Sequence, residues 1–127
     1  MMRKIIKDVA KFLPLYVDSI EWNDPNLILA GKGWSFSTIG SWRLIKNGRL
    51  ECGCYDEKSS LIIQKMKGAS ILSIDTQSLH INVDPVFIFS NGYKMEIFST
   101  TFLEPWIFNF SSSVVYVASP SDEQLER

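Results

Sequence analysis

His80 is the single histidine in 127 residues, so any serine or cysteine triad built on an imidazole base depends on it. No GxSxG nucleophile elbow accompanies it. His80 falls on the polar side of the alternating run Leu79–Val83, which reads as an exposed structural position. Cys52 and Cys54 stand at i and i+2 and so share one face of a strand. Two thiols and one imidazole fall short of the four ligands of a structural zinc site, and a disulfide between them is disfavoured in a reducing cytosol. They read as small, semi-buried strand residues. Glycoside hydrolysis needs two carboxylates across a cleft; Asp75, Asp84 and Glu104 make such a pair only if the fold brings them together. Gly31-Lys32-Gly33 is too short for a phosphate-binding loop and lacks the following Lys-Ser/Thr and helix. The residues therefore indicate no enzyme, no catalytic or metal site and no cofactor.

Charge is unevenly spread. The first eleven residues carry Arg3, Lys4, Lys7 and Lys11 against Asp8, whereas from Ala69 to Ser119 Lys94 alone stands against Asp75, Asp84, Glu96 and Glu104. Nucleic-acid binding needs clustered cations to neutralise phosphates. Here only Arg43, Lys46 and Arg49 near Trp42 offer that, and they read as a solvated hairpin tip. Four tryptophans (Trp22, Trp34, Trp42 and Trp106) exceed what a small core requires, so at least two are expected inside, with the others free to serve an interface. Hydrophobic content of 46% and charged content of 21% fit an ordinary globular chain. No apolar run approaches the roughly 20 residues of a membrane span. The basic N-terminus has no continuous apolar core or cleavage site of a signal peptide. A cytoplasmic protein without membrane contact is expected.

The elements that would position these residues form one domain over 1–127: a helix in 1–14, a strand-rich body in 15–118 and a polar tail in 119–127. Ile5, Ile6, Val9, Phe12 and Leu13 recur at helical spacing before Pro14 ends the helix. Strands follow at Leu15–Trp22, Leu27–Ala30, Trp34–Ile39, Ser41–Lys46, Arg49–Cys54, Ile71–Asp75, Leu79–Val83, Trp106–Phe110 and Val114–Ala118. Leu61–Lys67 reads as a short helix with Leu61, Ile62 and Met66 inward and Gly68 after its end, or else as a strand. Two Asn-Gly pairs, Asn47-Gly48 and Asn91-Gly92, predict two-residue type I′ hairpins. In the first, Ile45 would face Leu50, Arg43 would face Cys52 and Trp42 would cover Gly53. In the second, Ser90 would face Tyr93, Ile88 would face Met95 and Val86 would face Ile97, leaving Phe87 and Phe89 on the partly exposed side with Lys94 and Glu96. Asp84-Pro85 must be an edge, bulge or corner. The class is α+β, with the N-terminal helix packed on a mainly antiparallel, strongly twisted sheet or partly closed barrel of about eight to ten short strands.

One order of residues is familiar: Leu27-Ile28-Leu29, Gly33-Trp34, Ser41-Trp42-Arg43, then Leu61 with Met66-Lys67-Gly68, Ile71 and Ile74. It continues with Asp84, Phe89-Ser90-Asn91-Gly92-Tyr93, Ile97-Phe98 and Pro105-Trp106. This pattern, spanning Leu27 to Phe110, resembles small uncharacterised bacterial domains found with polymorphic-toxin and contact-dependent-inhibition loci, many of them immunity proteins. The resemblance implies a cytoplasmic protein that binds and neutralises one cognate toxin domain without chemistry of its own. It lies in structural residues and transfers no binding residue. The acidic half suits a basic partner, such as a nuclease toxin, because charge complementarity speeds encounter. The residues expected at that face are Asp75, Asp84, Glu96 and Glu104, with Trp34 and Trp42. The alternative is a ligand- or protein-binding β domain, joined into a homo-oligomer through an edge strand.

Overall fold

The computed structural model describes residues 2–77, 80, 83–100, 104–110 and 114–118, with side chains from Lys4 onward. The chain begins with helix α1 (Met2–Val9), extended by a 3-10 turn over Ala10–Phe12. Its apolar stripe is anchored at both ends: Ile5 and Val9 are buried, and Phe12 stacks on Phe110 at 4.3 Å. Then come β1 (Leu15–Tyr16), β2 (Ser19–Asn23), β3 (Asn26–Gly31), β4 (Trp34–Thr38), β5 (Ser41–Lys46) and β6 (Arg49–Gly53). Helix α2 (Ser59–Ile63) with a 3-10 turn over Gln64–Met66 leads into β7 (Ser70–Thr76), β8 (Pro85–Phe89), β9 (Tyr93–Phe98), β10 (Trp106–Phe110) and β11 (Val114–Val117).

The strands form two antiparallel sheets, ordered β1-β7-β8-β9-β5-β6 and β11-β10-β4-β3-β2. This corrects the expectation of one sheet or partly closed barrel of eight to ten strands: among the described residues eleven strands divide between two sheets, neither closed on itself. Their inner faces meet through aromatic rings. Phe36 of β4 packs edge-on against Phe87 of β8 at 4.7 Å, and Trp22 of β2 against Trp42 of β5 at 5.2 Å. Such edge-to-face pairs add about 0.5–1.5 kcal/mol each beyond the area they bury. The helices lie at the seams. α1 rests on β7 while Asp8 accepts a hydrogen bond from Tyr116 of β11, and α2 rests on β2 and β6.

The division into two sheets explains the main departure from the sequence reading. Leu15–Trp22, expected as one strand, is two. At Val17 the backbone bonds to Gly68 and Ala69 beside the first sheet, and at Asp18 the N–H donates to Ala30 of the second. The chain thus changes sheets within two residues. Pro85 opens the central strand β8, paired with Thr76, at a strand's first residue where a missing N–H costs the ladder little. Leu61–Lys67 is helical in its first part, but Leu61 points to solvent while Ile63 and Met66 are buried. Of the expected strand Leu79–Val83, Leu79, Ile81 and Asn82 lie outside the described residues, as does the tail 119–127.

The β8–β9 register also departs from expectation. Val86 pairs with Glu96, Phe87 with Met95 and Ile88 with Lys94, one residue away from the two-residue hairpin. Ser90, Asn91 and Gly92 form a three-residue loop closed by the Gly92 N–H on the Phe89 carbonyl. Phe87 and Phe89 are consequently buried, and Val86 and Ile88 take the half-buried outer face. The inter-sheet contacts supply the reason, because Phe87 meets both Phe36 and Phe108. The first hairpin keeps its predicted tip, with Asn47 and Gly48 both at positive φ and Ile45 opposite Leu50. A bulge beyond that pair sets Arg43, rather than Trp42, opposite Gly53, and Leu44 opposite Cys52.

Candidate binding surfaces

Register places the expected acidic residues individually. Asp75 pairs with Val86, Val86 with Glu96 and Glu96 with Arg43, so Asp75 and Glu96 share the outer face of the six-stranded sheet. Their charge is offset there. Arg43 Nε lies 2.6 Å from Glu96 Oε1, its guanidinium covers Phe98, and Lys94 stands one row away. Asp84 is buried, and its Oδ1 accepts the Ser99 N–H at 2.9 Å. It ties the base of the β8–β9 hairpin and offers nothing to a partner. Glu104 is exposed ahead of β10, on the other sheet.

Trp34 is 5% and Trp42 1% exposed, which corrects their placement at an interface. Both belong to the core because their strands meet the seam between sheets. Trp34 Nε1 donates to the Tyr16 carbonyl at 3.1 Å, while Trp42 packs on Trp22. Trp106 is equally buried, donating to the Val83 carbonyl. The six residues therefore form no common face.

The segment Arg49–Leu61 combines exposed apolar groups with charge. In β6, the following turn and α2, Leu50 is 62% exposed, Tyr55 72% and Leu61 71%, with α2 lying against β6. Exposed Glu51, Asp56 and Glu57 alternate with them, accompanied by Arg49 and Lys58. Large apolar side chains rimmed by charges are the usual composition of a protein-binding patch. Sequence reading passed over this segment because residues 55–60 look like a plain polar loop. No signal in the sequence marks these residues, since Leu50 has Ile45 as a cross-strand neighbour and Leu61 is followed by Ile62 and Ile63.

The same segment closes its own strand edge. The Gly53 N–H donates to Asp56 Oδ2 at 2.8 Å, and the Asp56 N–H donates to the Gly53 carbonyl. Beside it lies the bulge of β6. Other edges are capped likewise: Gln64 donates to the Ile20 carbonyl of β2, and Trp34 to the Tyr16 carbonyl of β1. Side-chain capping and bulges blunt an edge against strand addition, and at β6 they do so at its Gly53 end.

Little on the described surface promises covalent or metal chemistry. Cys52 and Cys54 are free and buried. Burial, then the carboxylate of Asp56, pushes the Cys52 thiol up to about 11, leaving it protonated and a poor nucleophile at neutral pH. His80 is exposed. Among the described residues no three His, Cys, Asp or Glu side chains converge on a cation position, and no helix is long and apolar enough to cross a membrane. In comparisons with known proteins, no family model, curated protein or solved structure matches the chain.

Proposed function

We propose that the protein acts by binding another protein, as an immunity protein that neutralises a cognate toxin domain, and that the β6–α2 surface makes the contact. One observation carries this reading: Leu50, Tyr55 and Leu61 stand out from adjoining elements, each more than half exposed. Leaving them in water forgoes roughly 1.5–3 kcal/mol of burial apiece, which a partner recovers on docking. Glu51, Asp56 and Glu57 outnumber Arg49 and Lys58 around them, favouring a partner with a basic face. Inhibition by docking needs a stable scaffold and a complementary surface, and no reactive group.

The test is a tagged pull-down from the native cells with the wild type and with Leu50→Glu/Leu61→Glu. Both substituted side chains are exposed, so circular dichroism and melting temperature should not change. The expected result is one stoichiometric toxin-bearing partner, growth protection on co-expression, and about 30-fold or greater loss of affinity in the double variant. A partner retained at full affinity by the double variant would remove this surface from the account. Recovery of the protein alone would remove the immunity reading, and a homodimer broken by Leu61→Glu would assign the surface to a second copy of the chain.

A further inference from the structure

Where the end of α1 meets both sheets lies an open cleft of about 320 Å³. Four aromatic residues from separate segments line it: Phe12, Tyr16, Trp34 and Phe110. The walls are fixed before any ligand arrives. Phe12 and Phe110 are stacked, Trp34 is held by its hydrogen bond to the Tyr16 carbonyl, and the absence of a side chain at Gly31 lets that carbonyl approach. A Cβ there would fall 2.1 Å from it. The rim carries one acid and one base, Asp18 and Lys32. Each side chain is exposed, and neither makes a hydrogen bond or ion pair with the described residues. The Asp18 N–H donates to the Ala30 carbonyl at 2.8 Å, which sets Asp18 across from the start of the β3–β4 turn that bears Lys32.

We infer that this cleft binds a small aromatic zwitterion, of the class of an aromatic α-amino acid. A cavity of roughly 150 Å³ holds one benzene ring, so this volume takes a ring and a short polar head but not a nucleotide, and it sits at the lower end of small-molecule sites. The ring lies among the aromatic walls, the carboxylate meets Lys32 and the ammonium meets Asp18. A purely apolar ligand would engage neither rim charge, and an aromatic acid or amine only one. The site is independent of the protein-binding surface, which lies on other elements.

The test is a nuclear magnetic resonance titration of the full isotope-labelled chain with L-phenylalanine, phenylacetate and phenethylamine, following the Asp18, Lys32 and Gly33 amides and the Trp34 indole. Saturable shifts at these groups are expected with L-phenylalanine, with each single-charge analogue about two- to fivefold weaker, the range of one exposed ion pair. Lys32→Ala should bring L-phenylalanine to the level of phenethylamine and leave phenethylamine itself unchanged. Asp18→Asn should do the converse with phenylacetate. Absence of saturable shifts up to about 10 mM, beyond the millimolar affinities such contacts reach, would overturn the proposal. Equal affinity for all three compounds would do the same.

Discussion

Two hairpins in this protein turn on the same dipeptide and obey different rules. At Asn47-Gly48 the tip is exposed, both residues have positive φ, and space around the Gly48 position is open. Nothing competes with the local preference of Asn-Gly for a type I′ turn, and the predicted pairing at the tip forms. At Asn91-Gly92 the tip is docked. Ser90 exchanges hydrogen bonds with Ser70, its N–H donating to the Ser70 carbonyl and its Oγ accepting the Ser70 N–H. Asn91 Nδ2 donates to the Lys65 carbonyl at the end of the α2 segment, and Asn91 Oδ1 accepts the Tyr93 N–H. Only Gly92 then has positive φ. Ser90 is drawn out of the ladder, the loop lengthens to three residues and every β8 side chain changes face. A free turn follows its own propensity; a docked one follows its neighbours.

The largest effect that can break this comparison is in the core. Phe87→Ala should destabilise by about 3–5 kcal/mol, and Ile88→Ala by far less, read as the midpoint shift in urea unfolding. The reverse order would restore the two-residue register and abolish the distinction between the hairpins.

Substituting glycine for asparagine sharpens it at the turns themselves. Asn47→Gly should leave stability within about 0.5 kcal/mol, since glycine adopts positive φ freely. Asn91→Gly should cost about 1–2 kcal/mol, because it removes two side-chain bonds to backbone. Equal costs in thermal melts would show that docking does not govern the second turn.

The first hairpin also predicts a pH slope. The Cys52 thiol, raised in the folded chain from 9.0 to about 11, binds its proton more tightly than in the unfolded chain. Its contribution is therefore full below about pH 9 and lost as pH rises towards 11. Denaturant midpoints of the wild type should fall across that window more steeply than those of Cys52→Ala. Parallel slopes would show that the base of this hairpin is as open as its tip.

Most strand and helix positions were legible because their signals are local. Trp34–Thr38, Ser41–Lys46 and Trp106–Phe110 are runs of β-forming residues between turns, and the stripe from Ile5 to Phe12 has helical period. The binding surface was not legible. Periodicity marks side chains that have somewhere to be buried, whereas Leu50, Tyr55 and Leu61 stand out only when no neighbour covers them. The acidic residues misled for a related reason. A charge count along the chain cannot tell that Asp84 serves the Ser99 backbone N–H or that Glu96 is held by Arg43.

By itself the sequence determined the N-terminal helix, the antiparallel hairpins, the free Asn47-Gly48 turn and a core with tryptophan in it. Each rests on φ preferences and apolar spacing within about ten residues. Only the tertiary structure decided that the strands divide into two sheets at Val17 and Asp18, and that Phe87 rather than Ile88 faces inward. It also decided which aromatic residues line a cleft and which apolar ones remain in water. Those outcomes depend on contacts between segments distant in the chain, such as Phe36 with Phe87 and Asn91 with Lys65, whose energies of about 1 kcal/mol each outweigh a local turn preference when several act together.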